Sequence, residues 1–318
     1  MLILAVESSC DETAVALVRD GRTVLADCIA SSVEMHKLYG GVVPEIASRK
    51  HIEVISQLAD QALAQAGVTR GDIDAVAVTY APGLIGAVLV GVSFAKAVAY
   101  ALGVPLIPVH HVRGHIAANY IAHPDLEPPF VCLCVSGGTS LIVDVKGYTD
   151  MAILGGTRDD AAGECFDKIA RVMGLGYPGG GPLDRAAQGG DDGAFSLPRV
   201  HIEDAPLDMS FSGLKTFSAA VSEELVPRTM AAARQTGYRK VAVVGGVAAN
   251  SRIRRDLEAA CQQAGCTLYL PPLKLCGDNG SMIGSQGYYE YLAGTRGGED
   301  LNGYANRDIS LPYRREGV

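Results

Sequence analysis

At 318 residues the chain is long enough for two domains with complete cores. Its 48% hydrophobic content, 38 glycines and lack of tryptophan suit a compact α/β protein and exclude a disordered one. A net charge of −8 excludes a surface that attracts nucleic acid by its overall field, so an RNA substrate needs a local basic patch or a partner protein.

The chain opens with Leu2-Ile3-Leu4-Ala5-Val6, which reads as a buried strand. With Ala14-Val15-Ala16-Leu17-Val18 it brackets a short polar turn, Glu7-Ser8-Ser9-Cys10-Asp11-Glu12-Thr13, and predicts a β-hairpin. Three acids are ordinary in such a turn. Beside a strand end they also suit contact with a metal or a nucleotide.

Residues 39–45 read as a loop without derivable chemistry, and Arg49, Lys50 and His51 as a small basic cluster. A solvated helix start accounts for that cluster, with RNA contact as the alternative. Ile55, Leu58, Ala59, Ala62, Leu63 and Ala66 follow helical spacing over 52–66, and Gly67 stops the run. A strand over 75–79, a Pro82-Gly83 loop and a small-residue helix to Leu102 come next. The apolar run 84–94 is too short to span a bilayer and is broken by Gly86 and Gly91, so no membrane role is expected. Strands alternating with helices predict a doubly wound lobe.

The strand over 104–109 ends in Val109-His110-His111-Val112-Arg113-Gly114-His115. If a helix starts here, His111 and His115 share one face, and two neutral imidazoles one turn apart can grip one metal ion. The same pair also reads as two ordinary surface or core histidines, and spacing alone does not choose between them.

After Pro128-Pro129 the pattern restarts. The strand Phe130-Val131-Cys132-Leu133-Cys134-Val135, the turn Ser136-Gly137-Gly138-Thr139-Ser140 and the strand 141–145 repeat the design of residues 2–18, which reads as an internal duplication. Asp159, Asp160 and Asp167 lie on a predicted helix over 159–168; dipole compensation accounts for the first two and not for Asp167. The glycine- and proline-rich residues 176–182 read as a loop beside Asp184, and the polar, basic stretch 210–216 as a surface for a charged partner. Val244-Gly245-Gly246 turns into a helix near Asn250, which is either a helix cap or a contact for a ribose or base. Asp278, in the loop before the helix over 282–292, is placed to be an oxygen ligand beside His111 and His115. Eight cysteines without a C-x-x-C spacing, and an opening without a secretory leader, predict a reducing cytoplasm.

Taken together, these stretches resemble a universal family once called glycoproteases, whose bacterial members are the catalytic subunits of tRNA N6-threonylcarbamoyladenosine synthase. The resemblance spans nearly the whole chain, through 7–13, 40–44, 82–91, 110–115, the Ser136 turn, 159–168, 210–216, 245–250 and Asp278-Asn279. It implies the actin/Hsp70/sugar-kinase fold, two duplicated lobes around a nucleotide cleft, with a first lobe over 1–127 completed by about 293–318 and a second over 128–292. It implies His111, His115 and Asp278 as ligands of one divalent metal, Fe2+ first, with Zn2+ and Mg2+ as alternatives. Cys134, Val135, Ser136, Gly137, Gly138, Asp167, Gly180, Asp184 and Asn250 are implied to hold threonylcarbamoyl-AMP, with an ATP- or ADP-like nucleotide able to occupy the cleft. Asp11 and Glu12 are assigned to orienting the metal or accepting a proton. The implied partners are tRNA, an inactive paralogue bound through the first lobe, a small P-loop ATPase, and an upstream synthase supplying the adenylate.

Three departures from the family stand out. The Ser136 turn lacks the histidine usual after its second glycine. One extra glycine precedes Pro182, which leaves the Gly180 assignment open by one position. A helical stretch is missing between Ser218 and Ala219, where a break in the chain is expected, with Cα atoms farther apart than the 3.8 Å of a trans peptide. A metalloprotease would need a glutamate after the first histidine as general base, and Val112 stands there. A sugar kinase or ATPase shares the fold but has no need of a two-histidine site, and a non-catalytic scaffold has no need to keep both histidines and Asp278.

Overall fold

A computed structural model describes residues 1–188, 190, 202–212 and 218–315, which fall into two compact units. The first comprises Met1–Leu126, Tyr148–Asp150 and Asp278–Val318, the second Glu127–Gly147 and Met151–Gly277. The chain therefore returns to the first unit at Asp278, earlier than the position near 293 expected from sequence.

In the first unit, β1 (Leu2–Glu7), β2 (Glu12–Arg19) and β3 (Thr23–Ser31) form an antiparallel meander. Beyond α1 (Val33–Lys37) and α2 (Pro44–Ala66), β4 (Ala75–Ala81) pairs parallel with β1, and after α3 (Ile85–Leu102) β5 (Leu106–His110) pairs parallel with β4. The sheet order is β3-β2-β1-β4-β5, and α4 (His111–Ala122) leaves β5 directly. Leu4, Leu17, Val76 and Val78 point to one face and form a core with Ile55 and Leu58 of α2 and Val88 and Val92 of α3.

Two sequence expectations change here. The helix expected over 52–66 starts at Pro44, whose missing N–H costs nothing in a first helical turn. This turns His51 inward, only 1% exposed, and pairs Lys50 Nζ with Glu53 at 3.2 Å, so Arg49, Lys50 and His51 do not form a basic patch. The α3 helix is 18 residues long, and by length and composition it is apolar enough to cross a bilayer, unlike the shorter run read from sequence. Its buried Ala87, Val88, Gly91, Val92, Ala95 and Ala99 make it the core helix packed on β4 and α2.

The second unit repeats the topology. Strands β6 (Phe130–Val135), β7 (Ser140–Val145) and β8 (Met151–Gly156) form the antiparallel meander. After α5 (Ala162–Val172), α6 (Gly180–Ala187) and α7 (Ser218–Thr236), β9 (Lys240–Val244) pairs parallel with β6. Then α8 (Ser251–Ala264) leads to β10 (Thr267–Tyr269), parallel with β9, and the order is β10-β9-β6-β7-β8. Ser218 and Ala219 are successive residues of α7, and the Ser136 N–H donates to Thr139 O at 2.8 Å across a closed turn.

Finally α9 (Gly280–Leu292) lies on the first sheet, on the face opposite α2 and α3. The approach is so close that a Cβ on Gly280, Gly284 or Gly287 would come within 2.7 Å of Ala16 N, 2.5 Å of Val18 Cγ2 or 2.6 Å of Ala77 Cβ. Small residues on both sides let helix and sheet meet backbone to backbone. This contact is why Asp278, just before α9, belongs to the first unit.

Candidate functional site

With no turn between β5 and α4, His111 opens the helix and His115 follows one turn later. Their ring centroids are 4.6 Å apart, at 83° to each other. On the other side, Asn279 caps α9 by accepting the Met282 N–H at 2.8 Å, which fixes the residue before it. Asp278 Oδ1 lies 3.1 Å from His115 Nε2 and 3.5 Å from His111 Nε2. One ligand atom from each of His111, His115 and Asp278 falls within 4.8 Å of the other two. His115 Nε2 is buried and, beyond its 3.1 Å approach to Asp278 Oδ1, makes no hydrogen bond among the described residues. A buried imidazole nitrogen beside a second imidazole and a carboxylate fits a divalent cation.

Electrostatics tie the three groups to a fourth, Glu7, at the end of β1 and fully buried. Its Oε2 accepts from His111 Nδ1 at 3.0 Å and from Thr79 Oγ1 at 2.6 Å, while Oε1 accepts the Ser9 N–H at 2.5 Å. Burial opposes charge on Glu7, but His111 outweighs it and its carboxyl titrates below the ordinary range. Burial likewise opposes charge on His111, and the carboxylates of Glu7 and Asp278 override it, raising the imidazole to about 9. Asp278 falls to about 2 against its own burial, through His111 and His115. In the sequence Glu7 is one of three turn acids suited to contact with a metal or a nucleotide, with no role of its own.

Asp11 and Glu12 lie outside this ligand group. The Asp11 carbonyl accepts the Ser32 N–H at 2.9 Å and its hydroxyl at 2.8 Å; Glu12 Oε1 accepts from Ser31 Oγ at 2.9 Å. Burial, with Asp11 and Asp278 nearby, pushes Glu12 up to about 9. Arg113, between the two histidines, faces away from them. Its guanidinium donates to Ile309 O at 2.9 and 2.7 Å and to Glu290 Oε1 at 3.0 Å, tying α4 to α9 and the C-terminal segment.

In the second unit the remaining residues line the C-terminal ends of β6 and β9, where ligands of parallel strands gather. Cys134 and Val135 are buried in the strand, with Cys134 Sγ 3.8 Å from Cys132 Sγ, so neither side chain is open to a ligand. Ser136, Gly137 and Gly138 form the turn, whose Ser136 carbonyl accepts the Gly163 N–H at 3.1 Å. Gly245, at φ +92°, presses on the same turn; a Cβ there would lie 2.2 Å from Val135 O. Asp167 Oδ1 accepts the Gly179 N–H at 2.7 Å and so aligns the start of α6 at Gly180. Asp184 Oδ1 accepts from Ser251 Oγ at 2.9 Å, and Asn250 Oδ1 caps α8 by accepting the Ile253 N–H at 3.1 Å. These bonds join the turn, α5, α6 and the start of α8 into one rim.

Three expectations for this unit change. Asp159 and Asp160 precede α5 rather than occupy its first turn, so dipole compensation does not explain them. The Asp159 carboxylate accepts from Ser210 Oγ at 2.5 Å, Ser212 Oγ at 2.7 Å and the Phe211 N–H at 2.7 Å, and Asp160 pairs with Lys168 at 2.7 Å. Of the stretch read as facing a charged partner, 213–216 lie outside the described residues, and Ser210 and Ser212 turn to Asp159. The expected loop over 176–182 ends earlier than predicted, since Gly180 already belongs to α6.

Among known proteins, the profile of the family TsaD, tRNA N6-adenosine threonylcarbamoyltransferase, matches residues 23–285. A relative of that name from Clostridium botulinum (strain 657 / Type Ba4) is 48% identical over 328 aligned positions, covering 96% of each chain. Another from Moorella thermoacetica is 51% identical, covering 91% of this chain and 92% of its own. Among solved structures, T. kodakarensis HypF superposes with a TM-score of 0.61 at 16% identity, over 94% of this chain and 49% of that one. The ROK hexokinase from Thermus thermophilus gives 0.50 at 16%, over 93% and 100%. These likenesses and the repeated sheet topology make this an actin/Hsp70/sugar-kinase fold.

Proposed function

The chain belongs to the tRNA N6-adenosine threonylcarbamoyltransferase family, and from that premise we propose how its residues share the reaction. It transfers the threonylcarbamoyl group of threonylcarbamoyl-AMP to N6 of adenosine 37 in tRNAs that read ANN codons. The exocyclic amine attacks the carbamoyl carbon. A C–N bond forms, the bond from that carbon to the phosphate oxygen breaks, AMP leaves with the electron pair, and the amine's proton passes to solvent.

The observation that carries the reading is the convergence of His111, His115 and Asp278, one ligand atom of each within 4.8 Å of the others. These three would hold one divalent ion, Fe2+ first and Zn2+ or Mg2+ as alternatives, and it would supply Lewis acidity toward the mixed anhydride. In the second unit, the N–H groups of the Ser136 turn at Gly137 and Gly138 suit phosphate oxygens. Asp167, Asp184 and Asn250 are assigned to the nucleoside, and Gly180 leaves the start of α6 open, with no atom within 4 Å of a Cβ built there. Asp11 and Glu12, in the first hairpin turn, are assigned to orienting the metal or accepting the amine's proton on its way to solvent.

Net acidity supports a role for partners in holding tRNA, and we assign that help to an inactive paralogue and a small P-loop ATPase. The free state of all eight cysteines is in keeping with work in the cytoplasm. A single-turnover assay with tRNA, threonylcarbamoyl-AMP and these partners tests the proposal. Modified adenosine formed by wild type and lost in both His111→Ala and Asp278→Ala is the expected result. Equal product from all three proteins overturns the metal-centred assignment.

A further inference from the structure

The structure assigns to Glu7, a residue with no part in the reading above, the role of positioning residue for the ligand His111. The inference rests on the proposed metal site and asks what makes that site selective for one ring orientation. An imidazole can offer a metal either nitrogen, and the choice follows from the bond made by the other nitrogen. His111 Nδ1 faces Glu7 Oε2 at 3.0 Å and Ser9 Oγ at 3.1 Å, and its Nε2 faces Asp278. With Glu7 Oε2 and Ser9 Oγ already on Nδ1, Nε2 is the nitrogen left to meet a cation on the side of His115 and Asp278.

Glu7 is itself held so that it cannot turn away. Its two oxygens accept from the Ser9 N–H, the Thr79 hydroxyl and His111, and the side chain is wholly buried. Ser9 is its sequence neighbour and Thr79 lies on β4, the strand next to β1, so the carboxylate is fixed to the rigid centre of the sheet. Orientation of a ligand thus comes from a strand end rather than from the helix that bears the ligand. Losing such an outer partner typically weakens metal binding by roughly 10- to 100-fold.

The test uses the full-length chain, stripped of metal and titrated with Co2+ alone against a competing chelator, comparing wild type with Glu7→Gln. Glu7→Gln is expected to bind Co2+ roughly 10- to 100-fold more weakly, with an altered visible spectrum and an unchanged circular dichroism spectrum. In parallel, 15N-histidine NMR of Zn2+-loaded wild type is expected to show His111 protonated at Nδ1. That measurement needs no variant and stands even if Glu7→Gln fails to fold. A folded Glu7→Gln that binds Co2+ within twofold of wild type overturns the assignment while leaving the metal site intact, as does a His111 protonated at Nε2 in the Zn2+ form. Wild type that binds neither ion overturns the metal site and this inference together.

Discussion

Single residues differ in how far their work can be read from the sequence. His111 and His115 were legible because both halves of the pattern lie within one helical turn, so spacing carries the geometry. Glu7 was not legible: its partners Thr79 and His111 lie 72 and 104 positions away, and only the sheet brings them together. Asp159 was misread for a related reason, since local sequence suggests a helix start while the donors that claim it come from about 50 residues later. Those hydrogen bonds, from Ser210, Phe211 and Ser212, outweigh the opposing effect of burial and lower its carboxyl from 3.8 to about 2. A carboxyl depressed in the folded state adds stability above its unfolded pKa and loses it as pH falls through the folded one. The melting temperature of wild type should therefore exceed that of Asp159→Asn at pH 6, with the gap closing as pH falls from about 4 to about 2. A gap that stays constant over that window would show that the Ser210–Ser212 contacts are not charge-dependent.

At the scale of elements, the strands and the helix start at the double-histidine motif were legible from alternation and runs of apolar residues. The start of α2 was not, because the periodic apolar run begins only after the first two turns, and residues 39–45 read as a loop. Nor did the sequence show that α9 lies in backbone contact with β1, β2 and β4. Its glycines at 280, 284 and 287 recur with helical spacing, a signal that could have been read as a contact face. Gly280→Ala places a methyl against Ala16 backbone, which cannot yield, and should cost about 1–3 kcal/mol in urea unfolding. Asn279→Ala removes the α9 cap and should cost about 1 kcal/mol, and because Asp278 is the neighbouring residue it should also weaken Co2+ binding. Loss of stability with unchanged metal affinity would show that the cap does not position Asp278.

For the whole molecule, the duplication was the most legible feature, since strand, small polar turn and strand occur twice in the same order, and both sheets repeat one topology. Where the chain crosses between units was not legible, because that is decided by packing rather than by local pattern. The metal site predicts a global effect. A ligand that binds the folded state at 100 times its dissociation constant stabilises it by about 2.7 kcal/mol, so chelation should lower the melting temperature and His115→Ala should abolish the difference. With 35 acidic against 27 basic side chains, the chain alone should bind tRNA weakly and with steep loss as salt rises. Tight binding at physiological salt in a filter assay would contradict that.

The position of α9 also governs the order in which the protein can come into being. The five strands of the first sheet and its covering helices on one face are all encoded before residue 111, but the helix for the other face ends at Leu292. During synthesis the small-residue face of Ala5, Ala16 and Ala77 thus stays open until the chain has been translated through Leu292. The third ligand, Asp278, is equally late. A truncated product, however long its first half survives, therefore carries two imidazoles and an uncovered sheet, and is marked for aggregation or degradation rather than for partial activity.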